Sequence, residues 1–549
     1  MRIQTASLAL LGVVLTPVGG NAQSVSVTVA NGTLVGVEDS ATGIQRFLGI
    51  PYAQPPIGDL RLRQAKPLAT SFGTWPADAF GSSCYGSRAQ PNASEDCLTL
   101  NIWRLTGKQA QENGSLPVLV WLYGGGLTAG YTSNPLFEGT NMVRISTEIQ
   151  KPVILVSVNY RLGPLGFLNG KQMANLGLLN IGMLDQRLAL HWIHENIAAF
   201  GGDPSKVTLF GESAGAVSIY SHMMAYGGRD DGLFRGAIME SGGAFPLELP
   251  NATSFQQTFD SLLTNTSCST TLAQDATAAQ QLDCIRALPI NVFRASVGSK
   301  TGQSIDGDFT RTSIQFALPA GGYLKVATIV GTNTDEGTNS APKGINTTKQ
   351  LFDPLAQGYF RPQRLPNATV SKLLELYPTD PRQGCPYNTG TTKLTSGALD
   401  KQACSIFGDL VMVAPARQFA STLAADGVPV YRYRFNQLPP GGSPARGIST
   451  GVEEAYVFSN FVRSSSPGSA SPSAWDQALA YEMTSAWVSF AHDLDPNPGG
   501  NSALPHWPVY GEEANSIVFN GYGSWIEKDT YRDEGIQYII ENVLPHGAL

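Results

Sequence analysis

Apolar positions along this chain fall into unbroken runs and into four-residue repeats, and the two patterns alternate. Val118-Leu119-Val120-Trp121-Leu122-Tyr123 is a run with no polar interruption, which predicts a buried strand, and it stops abruptly at Gly124-Gly125-Gly126. Val207-Thr208-Leu209-Phe210 and Val326-Ala327-Thr328-Ile329-Val330 are further runs of strand formers. Val217, Tyr220, Ser221 and Met224 recur at helical spacing and predict a helix from Ala214 to Tyr226. Leu184, Leu188 and Trp192 repeat every four residues and predict a helix from about Asn180 to Ala198 with that stripe buried. The Gly/Ser/Pro-rich stretches Gln437 to Ser449 and Ser464 to Ser473 read as loops. No internal repeat interrupts the alternation, which predicts one large domain over residues 23–549.

The first residues follow a different pattern. Met1-Arg2 precedes an apolar stretch from Ala6 to Leu15, and Gly20-Asn21-Ala22 supplies small residues before a cut ahead of Gln23, so residues 1–22 read as a signal peptide. That stretch is too short to span a bilayer, and no later run approaches twenty apolar residues, so no membrane anchor is expected. Asn-x-Ser/Thr sequons at Asn31, Asn92, Asn113, Asn251, Asn265, Asn346 and Asn367 agree with secretion. The formal charge of -7 is spread without a charged block, which suits an extracellular protein and argues against nucleic acid as a partner. No metal-ligand cluster, phosphate loop or dinucleotide fingerprint is present in the sequence, and no cofactor or metal is expected.

Chemistry concentrates at Gly211-Glu212-Ser213-Ala214-Gly215, which lies between the predicted strand ending at Phe210 and the predicted helix after it. A Gly-x-Ser-x-Gly turn there holds the serine hydroxyl above a sheet, open to a substrate carbonyl. The glycine run after Tyr123 belongs to the same chemistry. Acyl transfer builds negative charge on the carbonyl oxygen, and backbone N–H groups of Gly125, Gly126 and Ala214 are the natural donors to it.

These motifs, with Phe47-Leu48-Gly49-Ile50-Pro51-Tyr52-Ala53, Ser94-Glu95-Asp96-Cys97-Leu98-Thr99-Leu100-Asn101, Asn159-Tyr160-Arg161-Leu162-Gly163 and Asn196-Ile197-Ala198-Ala199-Phe200-Gly201-Gly202-Asp203-Pro204, resemble the type-B carboxylesterase/lipase family, and most its secreted fungal members. The resemblance spans nearly the whole mature chain. It implies an α/β-hydrolase fold, a central, mostly parallel sheet flanked by helices and carrying insertions, and a Ser-Glu-His triad. Its acid would be Glu336, in Gly331-Thr332-Asn333-Thr334-Asp335-Glu336-Gly337, at the carboxyl end of a strand. Ser241, in Glu240-Ser241-Gly242-Gly243, resembles the serine that steadies that acid. Six cysteines in a secreted chain suggest three bridges, and sequence order with the resemblance pairs Cys84 with Cys97, Cys268 with Cys284 and Cys385 with Cys404. The short Cys84–Cys97 loop leaves no room for the large lid of the family's lipases.

The third triad member is missing. Where the family carries Gly-x-x-His-Gly-x-Glu, this chain reads Gly447-Ile448-Ser449-Thr450-Gly451-Val452-Glu453, which aligns without a gap and puts Thr450 at the histidine position. A threonine hydroxyl cannot accept a proton near neutral pH. Among the six histidines, His191 and His194 lie on the predicted helix from Asn180, and His222 stands nine residues past Ser213, roughly 13 Å along a helix axis. His492 and His506 fall in stretches that resemble surface connections of the family, and none of the six, His546 included, is well placed. Glu212 and Glu453 are acidic neighbours, but a carboxylate at its reference pKa near 4 is a poor base for a serine hydroxyl. Three readings follow. The first is a secreted ester hydrolase or acyl transferase on a small-molecule ester, with Ser213 as nucleophile and a substrate group or an unrecognised side chain completing the proton transfer. The second is a non-hydrolytic enzyme on a small metabolite, catalysing cyclisation, dimerisation or elimination. The third is a binding protein on the same scaffold.

Overall fold

The unbroken apolar runs lack polar alternation because they form the middle of a sheet covered on both faces. The structure, a computed structural model, describes residues 22–106, 115–242, 249–298, 300–358, 364–392, 397–462, 470–500 and 502–544. Residues 1–21 of the expected signal peptide, Asn113, Gly243, residues 464–469 of a predicted loop and His546 lie outside the described residues.

The described strands are β1 (Ala22–Val29), β2 (Gly32–Asp39), β3 (Ile44–Pro51), β4 (Gly73–Pro76), β5 (Ser83–Cys84), β6 (Ala93–Ser94), β7 (Thr99–Leu105), β8 (Leu116–Leu122), β9 (Ile154–Val158), β10 (Gly202–Glu212), β11 (Gly236–Glu240), β12 (Ala327–Asn333), β13 (Val430–Phe435), β14 (Asn515–Phe519) and β15 (Trp525–Lys528). Thirteen of them form one sheet in the order β1-β2-β3-β7-β9-β8-β10-β11-β12-β13-β14-β15, with β4 beside β2. From β9 to β14 every pairing is parallel. The strands β1, β2, β3 and β7 at one end, and β15 at the other, extend it antiparallel. Every residue of β8, β9, β11 and β12 is buried. The parallel strands share one carboxyl rim, so the chain segments that follow Leu122, Glu212, Glu240 and Asn333 all emerge on the same side.

The main core wraps this sheet, with Trp103, Trp121, Trp487 and Trp507 fully buried in it. Two satellite clusters lie outside it, one around Leu351, Val370, Ile406 and Ile536, the other around Leu165, Phe259, Leu282 and Phe293.

Two expectations are corrected. The predicted Asn180 helix forms as Ile181–Asn196, but Leu184 and Leu188 are only half-buried, while Asp185, Gln186, Arg187, Leu190 and Ile193 are buried with Trp192. The helix is covered on several sides, and its buried Asp185, Gln186 and Arg187 side chains are each engaged by a partner. Asp185 accepts from Arg161 Nε and Nη2 at 2.7 and 2.6 Å, Arg187 pairs with Asp231, and Gln186 binds Ser218 Oγ. The second correction concerns the cysteines. The bridges Cys84–Cys97 and Cys268–Cys284 are formed, but Cys385 and Cys404 are not joined. They are buried thiols. Cys385 Sγ faces Asp335 Oδ1 at 3.6 Å, and Cys404 Sγ accepts from Lys343 Nζ at 3.5 Å, so polar neighbours satisfy both sulfurs as thiols.

Candidate active site

β10 ends at Glu212, and the next residue turns the chain sharply into the helix Ala214–Gly228. Ser213 takes φ 51° and ψ -117°, a strained geometry for a side-chain-bearing residue, which costs about 1–3 kcal/mol and must be held in place by its surroundings. Ser213 N–H donates to Glu240 O at 2.9 Å and so ties the turn to β11. The flanking glycines are required by packing, because a Cβ on Gly211 or Gly215 would strike the carbonyl oxygen of Leu122 at the end of β8. The Gly-x-Ser-x-Gly pattern is therefore the imprint of one strand end pressed against the turn.

The glycine run after β8 approaches the same point. Gly125 and Gly126 adopt φ 108° and 66°, in the left-handed region that favours glycine. Among the described residues, no acceptor takes the N–H of Gly125, Gly126 or Ala214. A Cβ on Gly124 would stand 3.1 Å from Ser213 Cβ and overlap Glu212 Oε2, so the glycine run, the serine and Glu212 border one small space.

Glu336 stands across from this turn at the end of β12, 2% exposed. Its Oε1 accepts from Asn333 N–H at 2.7 Å and its Oε2 accepts from Thr450 Oγ1 at 2.5 Å. Burial, then the charge of Glu453, pushes its carboxyl up to about 7, while the bonds from Thr450, Asn333 and Ser241 oppose that rise. The loop that delivers Thr450 is pinned to the same strand end. Asp335 N–H donates to Ile448 O, Ile448 N–H donates back to Asp335 Oδ2, both at 2.9 Å, and Asn333 Nδ2 holds Ser449 O at 2.8 Å. Ser241 Oγ, expected beside the acid, donates to Glu453 Oε1 at 2.7 Å and also faces Glu336.

Among the described histidines, none hydrogen-bonds to Ser213 or Glu336. His191, His194 and His506 are exposed and His492 is half-buried against Asp493. His222 is buried, with Nε2 3.0 Å from Gln186 Oε1, and burial holds its pKa well below the ordinary value.

A cluster of five glutamates surrounds the site. Glu212 and Glu240 are register partners at the ends of β10 and β11, and Glu453 and Glu454 follow Thr450. Glu453 is fully buried and accepts from Ser241 Oγ and from Asn333 Nδ2 at 2.5 Å. Glu240 accepts from Trp487 Nε1 at 2.7 Å, and burial followed by Glu453 pushes its carboxyl up to about 8. Glu212 and Glu454 rise well above the carboxylate range, first by burial and then by the carboxyls around them. Glu454 keeps some exposed surface, but packed atoms on most sides still make burial the first cause of its shift. Glu240 and Glu454 belong to no motif that marks them as site residues. Their only trace in the sequence is an acid at the end of one strand-like run and a second glutamate after Glu453. Among the described residues, no group of three or more side chains is arranged to hold a metal ion.

The profile of the Carboxylesterase family matches residues 23–533. "Secreted lipase 1" of Botryotinia fuckeliana is 34% identical over 96% of this chain and 94% of its own length. "Lipase 4" of Diutina rugosa is 32% identical over 97% of this chain and 98% of its own. The crystal structure of Aspergillus niger EstA superposes with a TM-score of 0.80 at 26% identity, covering 95% of this chain and 99% of that one.

Proposed function

The chain belongs to the carboxylesterase family, and from that premise we propose that it is a secreted carboxylic-ester hydrolase or acyl transferase, acting on a small-molecule ester with Ser213 as its nucleophile. The observation that carries this reading is the strained Ser213 elbow beside the glycine run after β8, with the N–H groups of Gly125, Gly126 and Ala214 lacking an acceptor among the described residues. A chain released from catalysis has no physical reason to keep a serine at φ 51°. Ser213 Oγ attacks the ester carbonyl, and the three N–H groups receive the charge that develops on its oxygen. Collapse of the tetrahedral intermediate expels the alcohol, and water or a second alcohol then takes the acyl group from the serine. Export is supported by the leader-like first residues and by relatives named as secreted lipases.

Thr450 limits the rate of this chemistry. Its hydroxyl proton is committed to Glu336, and its oxygen is too weak a base to activate Ser213. The same substitution supports a second reading, in which the pocket and its N–H donors serve a non-hydrolytic conversion of a small metabolite, with Ser213 as a hydrogen-bond donor.

Hydrolysis of short-chain p-nitrophenyl esters by wild type and Ser213→Ala separates the two. Loss of a measurable rate in the variant supports the serine esterase. Equal, near-background rates from both proteins contradict it and favour the second reading.

A further inference from the structure

We propose that Glu212, paired with Glu454, moves the proton to and from Ser213 in place of the absent imidazole. This rests on Ser213 being the nucleophile.

The placement of the two carboxyls carries the argument. Glu212 Oε2 lies against Gly124, at the point that Ser213 Cβ also borders. Its other oxygen, Oε1, turns toward Gly451, the residue after Thr450, where an added Cβ would stand 3.4 Å from it and 3.9 Å from Glu454 Oε2. Glu212 therefore bridges the nucleophile and the position the histidine would occupy, and Glu454 meets it there.

The other three acids are engaged elsewhere. Glu336 is held by Thr450 and Asn333, Glu453 by Ser241 and Asn333, and Glu240 by Trp487. No described side chain or backbone N–H donates to the carboxyl of Glu212 or Glu454. Among the described residues, these two are the acids of the cluster with both carboxyl oxygens uncommitted, whereas Glu240 keeps one oxygen without a partner.

The surroundings make the pair basic. The titratable groups facing Glu212 are Glu454, Glu453, Glu336, Glu240 and the Tyr160 phenol, and those facing Glu454 are Glu212, Glu453 and Glu240. None of them is a cation. Burial and like charge lift both carboxyls, and a carboxylate so lifted is a stronger base than a solvated one. The weakness of an ordinary carboxylate as a base for serine is removed by the environment.

The proton balance closes. Glu212 takes the proton of Ser213 Oγ, directly or through one water, as the oxygen–acyl bond forms, and returns it to the alkoxide of the leaving alcohol as that bond breaks. In deacylation it takes a proton from water, whose oxygen attacks the acyl carbon, and returns it to Ser213 Oγ.

The test is kcat/KM for p-nitrophenyl butyrate against pH, using the full secreted protein and its Glu212→Gln, Glu212→Asp, Glu454→Gln and Ser213→Ala variants. Glu212→Gln is expected to lower kcat/KM about 100- to 10,000-fold, with partial recovery in Glu212→Asp. Glu454→Gln is expected to move the acid limb of the profile to lower pH, because removing a neighbouring charge makes Glu212 easier to ionise. A Glu212→Gln protein with wild-type kcat/KM and an unmoved acid limb overturns the proposal. If Ser213→Ala is inactive in that case, only the carboxyl pair falls. If Ser213→Ala matches wild type, the nucleophile falls and the proposal with it.

Discussion

Thr450 Oγ1 donates to Glu336 Oε2 at 2.5 Å, so the acid is capped by a hydroxyl at the position where the resemblance implies an imidazole. A threonine is too short to reach onward to Ser213 as a ring would, and it has no basic nitrogen. The carboxyl, its Asn333 partner and the pinned loop are retained around it.

Thr450→His is expected to raise hydrolysis of simple esters well above wild type, because an imidazole titrating near neutral pH is a better-matched general base for a serine hydroxyl than a carboxyl. The backbone that would present the ring is already held by Asp335 and Asn333. Steady-state kinetics on p-nitrophenyl butyrate checks this, and no gain contradicts the alignment of Thr450 with the family's histidine.

The elbow and the strand-end position of Glu336 were legible in the sequence because each is local, a strand followed within a few residues by its turn. The strand runs at Val118, Val207 and Val326 were legible for the same reason, since two-sided burial leaves a continuous apolar mark. The glutamate cluster was not. It is assembled from the ends of β10, β11 and β12 and from the Thr450 loop, and only sheet register brings Glu212 opposite Glu240. The Ile181–Asn196 helix misled because a stripe analysis assumes one buried face, whereas ion pairs and amide contacts bury its polar residues too. The Cys385 and Cys404 spacing carries no trace of the Asp335 and Lys343 contacts that engage the two sulfurs.

Stability should fall as pH rises from about 6.5 to 8. Glu336 and Glu240 ionise near 4.5 when unfolded but at about 7 and about 8 when folded. Over this range the folded protein holds protons that the unfolded chain has lost, so raising the pH favours unfolding. Buried His222 acts in the opposite direction only below its ordinary value of 6.5. Thermal unfolding at the two pH values checks the slope, which Glu240→Gln should flatten. A Tm that rises toward pH 8 contradicts the buried carboxyls.

Gly215→Ala tests packing at the elbow. In an ordinary helix interior this change stabilises by about 0.5–1 kcal/mol. Here the new Cβ would overlap Leu122 O and crowd the Tyr123 carbonyl carbon. A loss of roughly 1–3 kcal/mol or more is expected instead. Denaturant unfolding gives the sign directly.

Two thiols per chain should react with Ellman's reagent once the protein is unfolded without reductant, and none before, because Cys385 and Cys404 are buried and unbridged. No reactive thiol after unfolding would mean that a third disulfide exists.

The most direct measurement is mass spectrometry of the Ser213 peptide after rapid mixing of the protein with p-nitrophenyl butyrate and acid quench. A butyryl mass on Ser213 is expected to form as p-nitrophenol is released and to be lost as turnover proceeds. Release of p-nitrophenol with Ser213 unmodified at every time point would contradict it.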